Sequence, residues 1–280
     1  MKSKLKDHFR KSKRVTVPKA ADINRDKLNL LLLSNGALAN KRNETISELF
    51  GASPENPKTI MFVPFALKDH DAITDRVAKN LAPLGINVVG AHTFKDPVAA
   101  LDKVDGIYMG GGNTFRLVDT LQKTGLLDAI RTKVEGGMPY MGASAGINVA
   151  GPTIMTTNDM PIVQPKTMDA MGLVPFQLNA HYFEGKPHYE EDGKIVPYQG
   201  ETRDDRIIQF QEENATPVIG LKEGSALRIR GSSVELLGGK TAKVFEQGKE
   251  PVAVTDGKAI ERFMTPPAQP AAATPKGPKP

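Results

Sequence analysis

Residues 142–146 read Gly142-Ala143-Ser144-Ala145-Gly146, a G-x-S-x-G pattern. That pattern suits a sharp strand-to-helix turn that lifts a serine hydroxyl above a sheet, and only small neighbours fit around so tight a bend. Residues 138–141 read as a short strand before the turn and residues 145–150 as the opening of a helix after it. A hydroxyl so placed lies at a helix N-terminus, where free N–H groups and the helix dipole favour negative charge. Ser144 is the candidate nucleophile. The chain has no cysteine, which excludes a thiol nucleophile, a disulfide framework and a thiolate zinc site together.

A serine nucleophile needs a base and a group that orients the base. Of the five histidines, His8 lies in a basic N-terminal stretch, His70 and His92 precede the turn, and His181 and His188 follow it. His181 stands in Asn179-Ala180-His181-Tyr182-Phe183, just after the apolar run 173–178, as a residue at a strand end would. A neutral imidazole there can take the Ser144 proton and return it to a leaving amine. Two carboxylates compete for the third place, Asp159 and Glu223, and spacing alone leaves both open. The order Ser144, Asp159, His181 is that of the α/β-hydrolases, but the stretch is compact enough to argue for another sheet topology.

Gly110-Gly111-Gly112-Asn113 follows an apolar run and precedes a helical pattern. Phe115 occupies the third glycine position of a dinucleotide fingerprint, and no P-loop lysine follows, so phosphate binding is disfavoured. The glycines suit either a tight turn or a platform of backbone N–H groups. As a platform, Gly111 or Gly112 with Ala145 would form an oxyanion hole. His188 with Glu190, Glu191 and Asp192 lies between Pro187 and Gly193 and reads as a solvated loop rather than a metal site. No metal and no organic cofactor is implied.

The elements that must hold these residues alternate. Runs 29–34, 59–65, 86–91 and 106–109 are continuously apolar, as strands covered on both faces are. Segments 69–81, 113–123 and 126–135 carry helical patterning between them, with Ala72, Ile73, Val77, Ala78 and Leu81 at three- and four-residue steps. Strand and helix in alternation predict an α/β fold with a doubly wound, mostly parallel sheet. Ligands then gather outside the carboxyl ends of the strands, where both Gly-rich turns fall. Past residue 215, short strands at 218–221, 226–229, 234–237 and 243–245 predict a small C-terminal β extension, either continuing the sheet or standing beside it.

The net charge of +5 resides in the ends. Residues 1–28 carry ten Lys/Arg against three Asp, which exceeds the whole surplus. The body is therefore mildly acidic and a nucleic-acid partner is disfavoured. Residues 1–28 are expected to be a disordered basic arm, and 265–280, rich in Pro and Ala, a disordered tail. Domain 29–264 lies between them. No apolar run approaches the roughly 18 residues of a membrane span. A rival of another class is a non-catalytic protein that binds nucleic acid through the basic arm.

Several longer runs sharpen the reading: 31–35, 110–115 (Gly-Gly-Gly-Asn-Thr-Phe), 142–146, 152–154, 156–163 (Thr-Thr-Asn-Asp-Met-Pro-Ile-Val) and 200–203. In these the chain resembles the serine peptidase family of peptidase E and the cyanophycinases, over about residues 30–245. The resemblance implies a doubly wound fold like that of class I glutamine amidotransferases, with serine in place of their cysteine. It implies Ser144 as nucleophile and His181 as base, with Asp159 or Glu223 as the third member. Gly111 or Gly112 with Ala145 would supply the oxyanion donors, and Arg203 would bind an acidic substrate side chain. The expected activity is cytoplasmic hydrolysis of short peptides, chiefly dipeptides, with aspartate at the amino terminus. Isoaspartyl or cyanophycin-type bonds are the alternative substrate of the same fold.

Overall fold

A computed structural model of the chain describes residues 24–264. Its strands are β1 (Asn29–Leu33), β2 (Lys58–Val63), β3 (Ile86–Gly90), β4 (Gly106–Met109), β5 (Tyr140–Ala143), β6 (Gln177–Tyr182), β7 (His188–Glu191), β8 (Lys194–Pro197), β9 (Val218–Lys222), β10 (Ala226–Arg230), β11 (Ser233–Leu237), β12 (Ala242–Phe245) and β13 (Val252–Val254). Its helices are α1 (Arg42–Phe50), α2 (His70–Leu81), α3 (Pro97–Ala100), α4 (Thr114–Thr124), α5 (Leu126–Glu135), α6 (Ala145–Asn148), α7 (Arg203–Glu213) and α8 (Lys258–Glu261).

Seven strands form the central sheet in the order β11-β10-β1-β5-β4-β2-β3. The five strands from β1 to β3 in that order run parallel, and β10 and β11 join antiparallel at one edge. Leu30, Leu31, Leu32 and Leu33 are all fully buried, alternating between the two core clusters on either side of the sheet. That two-sided burial is why β1 reads as an unbroken apolar run. A second sheet, β13-β12-β9-β6, stands beside the first, with β6 and β9 parallel and the rest antiparallel. The C-terminal strands therefore do both things the sequence left open. β10 and β11 extend the central sheet, and β9, β12 and β13 build another.

Local chemistry sets the helix starts. The Asp69 side chain accepts from Ala72 N and caps α2, and Asn113 accepts from Arg116 N and caps α4. At α7, Thr202 and Asp205 form a reciprocal capping box.

Three expectations need correction. The segment expected to be a solvated loop after His181 contains an antiparallel hairpin, β7–β8, turning at Asp192 and Gly193, both with positive φ. The helix expected over 145–150 is a single turn, because Gly151 and Pro152 follow it. The ordered body begins before residue 29, since Leu28 is buried in the core and its N–H bonds to Arg25 O. The rest of the expected arm, residues 1–23, and the tail 265–280 lie outside the described residues. No helix among the described residues is long and apolar enough to cross a membrane.

Candidate active site

Ser144 sits between β5 and α6 with φ 54° and ψ −112°, a strained conformation for a residue with a side chain. Three contacts hold it there. Ser144 N donates to Leu33 O at the end of β1 (3.1 Å), and Tyr140 Oη donates to Gly146 O (2.6 Å) from a buried position. Gly146 lies so close to β4 that a Cβ on it would run into the Met109 carbonyl oxygen. Burial pushes the Tyr140 phenol well above its usual range, so it remains a donor.

His181 lies on β6, where the pairing with β9 shifts register between Asn179 and Tyr182. Its φ is 54°. Such an irregularity turns one side chain out of the strand's alternation, and here it aims the imidazole at the turn. Nε2 lies 2.7 Å from Ser144 Oγ. Nδ1 lies 2.7 Å from Glu223 Oε1, just past β9. The two nitrogens thus have different partners, which selects the tautomer with the proton on Nδ1 and leaves Nε2 free to accept. The carboxylate side chain is 60 % exposed, so it acts chiefly by orientation rather than by deep electrostatic coupling.

Of the two carboxylates, the fold brings Glu223 to the imidazole. Asp159, the other candidate left open by the sequence, is bonded to different groups. Its Oδ2 accepts from Thr114 N (2.8 Å), Thr114 Oγ1 (2.6 Å) and Thr157 Oγ1 (3.1 Å).

The Gly110–Asn113 turn packs on the nucleophile. A Cβ on Gly111 would lie 3.0 Å from Ser144 Cβ. Gly112 has φ 134°, and a Cβ there would meet Ala66 O at 2.6 Å, so only glycine fits. The turn is pinned through Gly110 N to Val63 O and Asn113 N to Ala66 O. Among the described residues the N–H groups of Gly111, Gly112 and Ala145 donate to no carbonyl outside their own element. They are available to an oxygen carrying developing charge. Because α6 is one turn long, these N–H groups matter more than any helix dipole.

Arg203 opens α7 at the side of the same cleft, with its Cζ 5.3 Å from the Phe183 ring centroid. Its Nε is buried without a hydrogen-bond partner. Burial is the main cause of a lowered pKa, Arg206 adds to the effect, and the attraction of Asp159 opposes it. The cleft, about 660 Å³, is lined by His181, Phe183, Arg203, Lys222, Glu223 and Lys240 among others. Lys222 is paired with Glu184 at 3.1 Å, whereas Lys240 Nζ donates to Glu223 O at 2.6 Å.

One further residue is silent in the sequence. Ser34, fully buried at the end of β1, accepts from His181 N (3.0 Å) and donates to Leu221 O (2.7 Å). It ties the central sheet to β6 and β9 beneath the imidazole. Only its place at the end of an apolar strand hints at the role.

A serine, an imidazole and a carboxylate hydrogen-bonded in series at the edge of a mostly parallel α/β sheet define a serine hydrolase. Residues 30–237 match the profile of peptidase family S51. The chain belongs to that family and is a serine peptidase. It is 44 % identical over 239 residues to peptidase E of Streptomyces coelicolor, covering 85 % of this chain and 95 % of that one. It is also 44 % identical over 225 residues to a Drosophila melanogaster protein named "Probable alpha-aspartyl dipeptidase", covering 78 % and 90 %. A crystal structure of a Listeria monocytogenes protein named "Putative Peptidase E Protein" superposes with a TM-score of 0.54 at 26 % identity, over 75 % of this chain and 97 % of that one. A peptidase from an acI-B1 actinobacterium shares the fold, with a TM-score of 0.58 at 18 % identity over 84 % and 97 %.

Proposed function

We propose that this S51 peptidase is an exopeptidase that releases aspartate from the amino terminus of short peptides, chiefly dipeptides, through an acyl-enzyme. The reading rests above all on the series Ser144 Oγ, His181 and Glu223, joined by two contacts of 2.7 Å. Ser144 attacks the scissile carbonyl while His181 Nε2 takes its proton, and Glu223 steadies the imidazolium that forms. The oxyanion is met by the N–H groups of Gly111 or Gly112 and Ala145. His181 then protonates the leaving amine, the C–N bond breaks, and the aspartyl ester of Ser144 is hydrolysed by a water that the same imidazole activates.

Selectivity is assigned to Arg203. Its guanidinium has no carboxylate partner among the described residues, and its Nε is buried and unsatisfied. A planar fork of donors held against Phe183 matches a substrate carboxylate in two contacts, which a neutral side chain cannot return. The name of the Drosophila relative specifies α-aspartyl dipeptides, which favours the α over the β linkage. We also place the fold with the class I glutamine amidotransferase-like group, serine standing where those enzymes carry cysteine. A cytoplasmic setting and a small peptide substrate, with no membrane or nucleic-acid partner, complete the reading.

The test is a panel of Asp-Leu, β-Asp-Leu, β-Asp-Arg and Ala-Leu. Wild type is expected to prefer Asp-Leu. Ser144→Ala should lower its turnover by roughly 10³-fold or more. Arg203→Ala should lose the preference for Asp-Leu over Ala-Leu while retaining residual hydrolysis of both. Undiminished cleavage of Asp-Leu by Ser144→Ala rejects the mechanism, and an unchanged preference in Arg203→Ala rejects the recognition role. Preference for either β-linked peptide would move the substrate to the isoaspartyl or cyanophycin type.

A further inference from the structure

Asp159 is tightly held yet only half used. All three hydrogen bonds to its side chain, from Thr114 N, Thr114 Oγ1 and Thr157 Oγ1, converge on Oδ2. Oδ1 accepts no hydrogen bond among the described residues. Thr114 and Thr157 are themselves fixed by Asn148 Nδ2, at 3.1 and 3.2 Å, so the carboxylate cannot swing freely.

Its neighbours tie Asp159 to the elements that carry the site. Thr114 opens α4, directly after the Gly110–Asn113 turn that packs against Ser144. On the other side, Asn158 Nδ2 bonds to Ala180 O, the carbonyl preceding His181, at 2.9 Å. Asp159 also acts on Arg203, where its attraction supports the buried cation, although no ion pair within 4.0 Å joins the two. The carboxylate and the guanidinium are thus near enough to feel each other's charge yet unpaired, each with an unused hydrogen-bonding atom facing no partner among the described residues.

An N-terminal aspartate carries the matching pair of charges. Its Cα bears an ammonium, and the adjacent methylene bears a carboxylate. We propose that Asp159 Oδ1 binds the free α-ammonium of the substrate, while Arg203 holds the side-chain carboxylate. This deepens the function proposed above and rests on it. Two charges read together restrict the site to a free amino-terminal residue and orient its carbonyl toward Ser144, whereas an acylated amine would bring Asp159 no positive charge to bind. Asp159 is then a substrate-binding group with no part in the proton relay.

The experiment compares Asp-Leu with succinyl-Leu, the same molecule with hydrogen in place of the α-ammonium. Dissociation constants are measured calorimetrically for both ligands on the full chain carrying Ser144→Ala, so that neither is consumed. Asp-Leu is expected to bind about ten-fold tighter or more, as for a charge-assisted hydrogen bond. Adding Asp159→Asn, whose amide oxygen can keep the three Oδ2 bonds, should shrink that ratio to within about two-fold, with succinyl-Leu affinity nearly unchanged. Asp159→Ser, read on the same ratio, serves if the amide lowers the melting temperature. A ratio that survives both substitutions overturns the proposal, as does equal weakening of both ligands or indifference to the ammonium before Asp159 is changed. Failure of the wild-type chain to hydrolyse Asp-Leu would instead overturn the parent reading.

Discussion

Glu223 and Asp159 are carboxylates of similar chemistry given different work by their neighbours. The first faces a ring nitrogen, and the second faces three donors on one oxygen. Replacing Glu223 with Gln keeps the shape but puts an amide that can donate against Nδ1, so the Nδ1–H tautomer and the ring's orientation are no longer enforced. kcat for Asp-Leu should fall by about 10²–10⁴-fold with KM little changed, measured by steady-state hydrolysis. A fall confined to KM would mean that Glu223 touches substrate instead. The serine and histidine were legible in the sequence because each announces itself locally, one by a glycine-flanked turn and the other by following an apolar run. The choice of carboxylate was not legible, because it depends on β9 lying parallel beside β6, a pairing between segments that no local pattern reports. The irregularity that aims His181 was hidden for the same reason.

At the scale of elements, the strand–turn–helix unit around Ser144 leaves no spare volume. A methyl group at Gly146 would press into the Met109 carbonyl on the neighbouring strand. Gly146→Ala is expected to cost about 1–3 kcal/mol of stability and to reduce turnover more than that loss would explain, because the bend itself must shift. Thermal melting alongside kcat measures both, and unaltered values would show that the turn has slack. The parallel strands were legible because unbroken apolarity is what burial on both faces requires. Helix α1 was overlooked, although Ile46, Leu49 and Phe50 fall at helical steps on its buried side, because nine residues give a weak periodic signal. The β7–β8 hairpin was overlooked because its strands are only four residues long and almost wholly exposed. The Asp192-Gly193 pair is the kind of turn signal that alternation alone would not supply.

For the whole molecule, charge and chemistry are separated. Every residue assigned to the reaction lies between Gly111 and Glu223, far along the chain from the basic residues of the amino-terminal stretch. Removing residues 1–23 should therefore leave kcat/KM for Asp-Leu within about two-fold, measured by steady-state hydrolysis. A large loss would make that segment part of the working site. Salt-sensitive binding of nucleic acid that vanishes with the deletion would give it a separate role.

The groups proposed to react are divided between two sheets, with the hydroxyl on one and the imidazole and its carboxylate on the other. Ser34 is the stitch across that seam. Turnover in this enzyme is consequently a gauge of how the two halves register against each other. Because one apolar cluster spans both sheets, a slip of an ångström along the join would disturb packing and turnover together, so the same contacts that hold the layers also hold the rate.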